Sequence, residues 1–423
     1  MEPSEATDGQ TDWRRTPGHR FESTRYWRSL PGGMPRRWWL FRPFDLIARH
    51  WPIFKKPAGL LVVRMDGIGD MVLFRSALDH YADVFGVERA AITILGCHSW
   101  RDIAPVVLAG YRVITINEHA YARRPFYRFK ISLMVRRLAP AVVVCDSYMR
   151  RPLMADSLVW MSGAPRQVVS LPYISEGTRA EFGYYLSQTD EIINTGVYPT
   201  HEVIRHFRFL SALSARALEP EAPAIAWRDA PPPIEDGSPY VVLNPGSNEP
   251  GRRWPFGEYL KIAEAIVARG MRVVFVGRSD EAPAPAELKN IEARSGMINR
   301  YARTTLPELL DLMKSAAAVV SNDTGPAHLA IALGVPSVVV VGGGHFGSFV
   351  PYPADVTPSN ARFVFHEMPC YHCFWRCPLR QTKSEAFPCI AAVDPGQVQA
   401  ALDDLLAERQ LAGPQSVGGE ATC

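Results

Sequence analysis

Three short stretches of this sequence set chemically capable side chains beside glycines at the ends of apolar runs. The first is Arg64-Met65-Asp66-Gly67-Ile68-Gly69-Asp70, which follows the run Leu60 to Arg64 and leads into a helical stretch. Its glycines permit a tight turn that brings backbone N–H groups close to a ligand at a helix N-terminus, which makes Gly69 a candidate binding position. Asp70 at that point can act as a general base toward a hydroxyl. The competing reading is an acidic first-turn residue that only complements the helix dipole. A dinucleotide fingerprint is incomplete here, because the position three after Gly69 is Val72 and not glycine.

The second stretch is Asn244-Pro245-Gly246-Ser247-Asn248, followed by Arg252-Arg253-Trp254-Pro255. A turn at Gly246 and Ser247 beside an arginine pair offers backbone donors and a guanidinium fork to a diphosphate, unless it is a solvated surface turn. Trp254 and Pro255 read as a helix entry. The third stretch, Ser321-Asn322-Asp323-Thr324-Gly325-Pro326-Ala327-His328-Leu329-Ala330, carries the strongest functional signal. A buried strand there runs into a helix opened by Gly325 and Pro326. Asp323 sits at the strand end and His328 about one turn inside the helix, so both can face one cleft. A histidine taken alone would read as a packed structural residue.

These motifs need a frame. From Leu60 onward, β-branched runs alternate with helical stretches, with strands expected at Leu60 to Arg64, Ala90 to Leu95, Val113 to Ile116 and Ala141 to Cys145. Apolar runs without polar alternation imply strands covered on both faces, hence a parallel sheet. The stretch 219–239, rich in proline and acidic residues, reads as a linker. Beyond it a second series begins, with strands at Tyr240 to Asn244, Arg272 to Val276, Ala318 to Ser321 and Ser337 to Val341. Helices are expected at Phe256 to Arg269, Leu306 to Ser315 and Pro326 to Leu333. A closing helix from Pro395 to Glu408 is expected to cross back to the first half. The predicted organisation is an N-terminal extension (1–57), a first Rossmann-like domain (58–218), the linker (219–239), and a second Rossmann-like domain (240–394). The closing helix (395–411) and a disordered tail (412–423) complete it. Two doubly wound halves facing across a cleft give an α/β fold of GT-B architecture, with the ligand between them where strand C-termini point.

Bulk properties exclude some functions. At 423 residues, 47% hydrophobic and 21% charged, the chain has the composition of ordinary folded domains, and a net charge of +3 is too small to argue for a nucleic-acid partner. The start, Met1 to Gln10, has neither a basic nor an apolar region of a secretory signal, so a cytoplasmic location is expected. No apolar run approaches the roughly 20 residues of a membrane span. Between Trp13 and Lys56, however, eleven Arg and Lys face only Glu22 and Asp45, interleaved with Trp13, Trp27, Trp38, Trp39 and Trp51. That mixture suits an anionic membrane surface, where indoles lie at headgroup depth; the alternative is an extension resting loosely on the body of the protein.

Four of the seven cysteines, Cys370, Cys373, Cys377 and Cys389, fall within twenty residues. In a reducing compartment such a set can hold a structural zinc, although Cys-x2-Cys-x3-Cys is no standard zinc or iron–sulfur spacing. Reduced packing or redox cross-linking are the alternatives. Cys97 and Cys145 are expected to be core thiols.

Taken together, the three stretches resemble glycosyltransferase family 9, the ADP-heptose:lipopolysaccharide heptosyltransferases. The resemblance extends from about Leu60 to Leu405 and is most specific at Asn322-Asp323-Thr324-Gly325 with His328-Leu329. It implies Asp70 as catalytic base and Arg253 as the contact to the donor phosphates. It also implies Asn322, Asp323, Thr324, Gly325 and His328 as the donor-site loop and helix, Ser247 and Gly69 as donor neighbours, and Glu281 or Asp280 as the ribose-binding acid. The implied reaction is an inverting transfer from a nucleotide-activated sugar such as ADP-heptose to a lipopolysaccharide-core or lipid-linked glycan. No Asp-x-Asp occurs, so catalysis is expected to need no metal or other cofactor. The rivals are a nucleotide-sugar-binding scaffold without turnover and a nicotinamide-dependent oxidoreductase.

Overall fold

The computed structural model describes residues 15–17, 34–214, 216–230, 234 and 237–412. Much of the basic N-terminal segment, parts of the linker and nearly all of the tail therefore lie outside the described residues.

The first lobe is built on a sheet of seven strands: β1 (Arg15–Pro17), β2 (Leu60–Arg64), β3 (Ile92–Cys97), β4 (Arg112–Ile116), β5 (Val142–Cys145), β6 (Arg166–Ser170) and β7 (Glu191–Ile193). Their order is β1-β7-β6-β5-β2-β3-β4, and only β1 runs antiparallel to its neighbour. The second lobe carries β8 (Tyr240–Asn244), β9 (Arg272–Phe275), β10 (Met297–Asn299), β11 (Ala318–Asn322), β12 (Ser337–Val341) and β13 (Ala361–Phe365). These are parallel throughout, in the order β10-β9-β8-β11-β12-β13. Each sheet reverses its strand order beside a central strand, β2 in the first and β8 in the second. Such a reversal opens a crevice at the strand C-termini, and both glycine-rich turns sit there.

Every residue of β2, β8, β11 and β12 is buried, which explains their unalternating apolar sequences. The helix Ile68–Leu78 after β2 packs against the helix Gly325–Ala332 after β11, and their apolar residues join one core cluster. The two lobes thus meet through the two elements that carry the strongest motifs.

Two expectations are revised. The closing helix, Pro395–Ala412, does not cross back: it packs on β11, β12, β13 and the helix Phe256–Ala268, burying Val398, Leu402 and Leu405 in the second lobe. The linker makes contacts to both lobes instead. The Ser76 hydroxyl donates to the Ala222 carbonyl, while the Ile225 N–H donates to Ala332 and the Trp227 indole to Asp311. In addition, residues 36–49 are no loose extension. They form a helix that buries Trp38, Phe41, Asp45 and Ala48, at i, i+3, i+7 and i+10, against the helices Pro125–Leu138 and Ala155–Ser162. A buried bidentate pair, Arg128 to Asp45 at 2.8 and 2.7 Å, fixes it there. No helix among the described residues is long and apolar enough to cross a membrane.

Candidate active site

The turn after β2 is held from beneath by a buried charge network. Arg64, 1% exposed, reaches Asp146 at 2.6 Å and Asp66 at 2.9 Å, and donates to the backbone carbonyl of Asp70 at 3.2 Å. Asp146 in turn meets His206 Nδ1 at 2.7 Å. Burial alone would raise the Asp146 carboxyl, but His206 and Arg64 together hold it well below the usual carboxylate range. Asp66 also accepts from the Ser147 hydroxyl at 2.7 Å. These contacts tie the turn to β5 and to the helix Glu202–Ser214, so the position of Asp70 is fixed by residues far away in sequence.

Asp70 accepts from the Gly67 N–H at 3.1 Å, closing the first turn of its helix. Its carboxyl keeps partial exposure, while burial first and the Asp66 charge second push it up to about 7 against the pull of Arg64. A carboxyl poised near neutral pH can both accept and release a proton under working conditions.

Across the cleft the helix Gly325–Ala332 begins against this turn. A β-carbon on Gly325 would lie 3.1 Å from the Ile68 β-carbon and 3.6 Å from the Gly69 nitrogen. One on Gly69 would meet the His328 ring at 2.8 Å. His328 is buried, its Nδ1 bonded to the Tyr352 hydroxyl at 2.7 Å, and burial lowers it to about 4, so the ring is neutral at physiological pH.

The Pro-Gly turn after β8 borders the same helix. Asn322 is buried with its side chain fully used: its amide donates to the Pro245 carbonyl at 2.7 Å, and its oxygen accepts from Trp254 N–H and the Tyr259 hydroxyl, each at 3.1 Å. It acts as a clamp on the turn and its groups do not reach the cleft. Thr324 accepts from the Asn244 amide at 3.3 Å. The two arginines diverge. Arg253 grips the Ser247 carbonyl at 2.8 and 2.9 Å and reaches the Asp280 carbonyl. Arg252 bonds both the carbonyl and the carboxylate of Asp323, and lies 4.6 Å from the Trp375 ring centroid. The Ser247 hydroxyl and Arg252 Nε are buried without a hydrogen-bond partner. Unpaired buried polar atoms are costly, and two around one turn mark a surface suited to a polar ligand. Of the two candidate acids, Glu281 lies against the turn, where a β-carbon on Gly246 would meet its carboxylate at 2.5 Å, whereas Asp280 is exposed and paired with Arg278.

Sequence reading did not single out Arg64, Asp146, His206 or the role of Arg252. It also missed an aromatic bridge between the lobes, in which Tyr198 stacks on Phe374 with centroids 4.7 Å apart and Tyr173 lies 4.9 Å from the same ring. Phe374 belongs to the cysteine loop, where His372, Phe374 and Trp375 all adopt left-handed backbone conformations, strained for residues with side chains. Cys370, Cys373, Cys377 and Cys389 line one small cavity of that loop, all as free thiols, and Cys389 Sγ accepts from the Gly343 N–H at 3.5 Å. Among the described residues no three Cys, His, Asp or Glu side chains are disposed to hold a metal ion as they stand. Cys97 and Cys145 are buried in β3 and β5.

The family model "Glycosyltransferase family 9 (heptosyltransferase)" matches residues 199–377, which include the Pro-Gly turn and the helix of His328 but not the Asp70 turn. Lipooligosaccharide heptosyltransferase 2 of Haemophilus influenzae is 32% identical over 108 residues, 25% of this chain and 31% of that protein. The match therefore spans about a third of the relative's length. Among solved structures, a glycosyl transferase family 9 protein from Veillonella parvula aligns over 85% of this chain and 100% of its own with TM-score 0.63 at 16% identity. TibC of enterotoxigenic Escherichia coli, a dodecameric iron-containing heptosyltransferase solved with ADP-D-beta-D-heptose, aligns over 84% of this chain and 77% of its own, with TM-score 0.53 at 16% identity. The fold is the GT-B plan seen in solved glycosyltransferase family 9 structures, and over residues 199–377 the chain is similar to the family 9 heptosyltransferases.

Proposed function

We propose that the chain is an inverting glycosyltransferase that moves a heptose from an ADP-heptose-like donor to a lipopolysaccharide-core or related cell-envelope glycan. The observation that carries this reading is the contact of the Asp70 turn with the His328 helix, which brings a carboxyl raised to about 7 within one residue of the proposed donor helix. In the proposed step Asp70 takes the proton of an acceptor hydroxyl while the hydroxyl oxygen attacks the anomeric carbon opposite the nucleotide. The bond from that carbon to the diphosphate oxygen breaks, its electron pair leaves with the nucleoside diphosphate, and the centre inverts. Charge growing on the leaving group would meet the N–H groups of Thr324, Gly325 and the first turn, the Ser247 hydroxyl, and the guanidinium groups of Arg252 and Arg253. Glu281 would accept from the ribose hydroxyls.

The chemistry so written needs no metal. A metal held by the four cysteines, zinc in this reading, would serve the loop that carries Phe374 and Trp375 and not the transfer. Acceptors of this class are lipid-linked, which fits a cytoplasmic protein resting on the inner face of the membrane.

Incubation with ADP- and UDP-sugars and a heptose-acceptor glycan, read by mass spectrometry, tests the reaction class. Transfer from the ADP-sugar that survives EDTA is expected. Donor binding without turnover would favour a scaffold, and loss in EDTA restored by magnesium would contradict the metal-free step.

A further inference from the structure

The helix Arg36–Arg49 has two apolar faces, and the core uses one. Its outward face carries Trp39, 47% exposed, Leu40, 55%, and Ile47, 54%. Just beyond the helix Phe54 is 98% exposed, and on the neighbouring helix Pro125–Leu138 Phe126 is 82% exposed, its ring 6.4 Å from that of Phe44. An exposed apolar band of this extent is uncommon on a protein that water alone surrounds.

Charge identifies what covers it. Arg36, Arg37, Lys55, Lys56, Arg123 and Arg124 are all exposed, and the one acid between residues 34 and 58, Asp45, is buried in its pair with Arg128. Apolar rings and indoles rimmed by these cations match a layer whose interior is apolar and whose surface is anionic. A second copy of the same face would instead bring like charges together. We infer that this face of the first lobe docks on an anionic lipid bilayer surface, with Trp39, Ile47, Phe54 and Phe126 entering the headgroup boundary and the arginines and lysines meeting lipid phosphates. Docking is separable from sugar transfer, since none of these side chains belongs to the cleft.

Co-sedimentation of the full chain with vesicles tests it, using phosphatidylcholine alone and phosphatidylcholine mixed with anionic phosphatidylglycerol. The chain is expected to sediment with the anionic vesicles and stay largely in solution with the neutral ones. The combined variant Trp39→Ser, Ile47→Ser, Phe54→Ser and Phe126→Ser should lose at least about ten-fold in partitioning, given the apolar area withdrawn from the boundary. Its circular dichroism spectrum and its activity on a soluble acceptor should match those of the wild type. Lys55→Glu with Lys56→Glu should weaken binding more at low salt than at high. A wild-type chain that stays in solution with both vesicle types overturns the inference. So does a combined variant that sediments like the wild type, or a salt-independent affinity equal for both vesicles. A wild-type dimer that dissociates in the combined variant, with no vesicle binding, would assign the face to a second copy.

Discussion

Gly69 and His328 meet across the cleft with no room between them: a β-carbon on Gly69 would sit 2.8 Å from the imidazole Cδ2. The ring cannot simply swing away, because Tyr352 holds its Nδ1 and stacks on it at an interplanar angle of 15°. The spacing of the two lobes is thus set by a glycine on one side and a packed ring on the other.

Gly69→Ala should therefore force the turn and the helix Gly325–Ala332 apart. Overpacking of this kind costs about 1–3 kcal/mol. Transfer is expected to fall further than the loss of stability explains, because Asp70 is displaced with the turn. Thermal melts beside steady-state kinetics would show it; full activity in a variant with an unchanged melting temperature would deny the contact its role.

The raised Asp70 carboxyl gives a pH profile. A base must be ionised to act, so kcat/KM should climb through about pH 7 and level off above it. Asp66→Asn removes the neighbouring negative charge and leaves Arg64 nearer to Asp70 in effect. Both changes favour the carboxylate, so the limb should move to lower pH. A limb that stays in place would show that Asp66 does not tune the base.

Ser247 offers a separation of fold from ligand. Its hydroxyl is buried without a partner, so Ser247→Ala should leave the melting temperature unchanged or slightly higher. Donor affinity should nonetheless drop by about two- to ten-fold, the worth of one hydrogen bond. Calorimetric titration with an ADP-sugar measures this, and unaltered affinity would remove Ser247 from the donor site.

Two histidines at the interface should each favour the fold less as pH falls. Burial above all lowers His201 to about 3 and His328 to about 4 from an ordinary 6.5. In the window between the folded and unfolded values these two side chains bind more protons in the unfolded chain, so their contribution to stability is full above about pH 6.5 and is lost as pH falls. At pH 5 each contributes a loss of about 2 kcal/mol by linkage. Because the raised carboxyls of Asp70, Glu181 and Glu202 act in the opposite direction over the same range, the check is a difference: the melting temperature of His328→Gln relative to the wild type should rise as pH falls from 7.5 to 5, and a constant difference would contradict it.

The strands β2, β8 and β12 were readable to the residue, because full burial on both faces leaves an unmixed apolar run. The helix Arg36–Arg49 was not, since it is apolar on two sides, lacks a side-chain cap at Pro35 and carries Pro43 inside. Its basic and aromatic composition was visible while its structure was not. In the site, glycine turns and Asp70 follow from local sequence. The network beneath them does not, as Arg64 and Asp146 are 82 residues apart and Asp146 and His206 are 60. Adjacent arginines 252 and 253 are equivalent on paper, and only the fold sends one to Asp323 and the other to Ser247. Asn322 shows the reverse case: it stands inside the most specific motif, yet its side chain is spent on holding the turn.

The most direct measurement is transfer by Asp70→Asn, a near-isosteric change that keeps an acceptor for the Gly67 N–H but cannot take a proton. With donor affinity within about two-fold of the wild type, a difference below the worth of one ordinary hydrogen bond, kcat should fall by about 10²- to 10⁴-fold, the usual contribution of a positioned base. Turnover near the wild-type rate, with donor bound normally, would mean that the proton goes elsewhere and that the meeting of these two loops is not the catalytic centre.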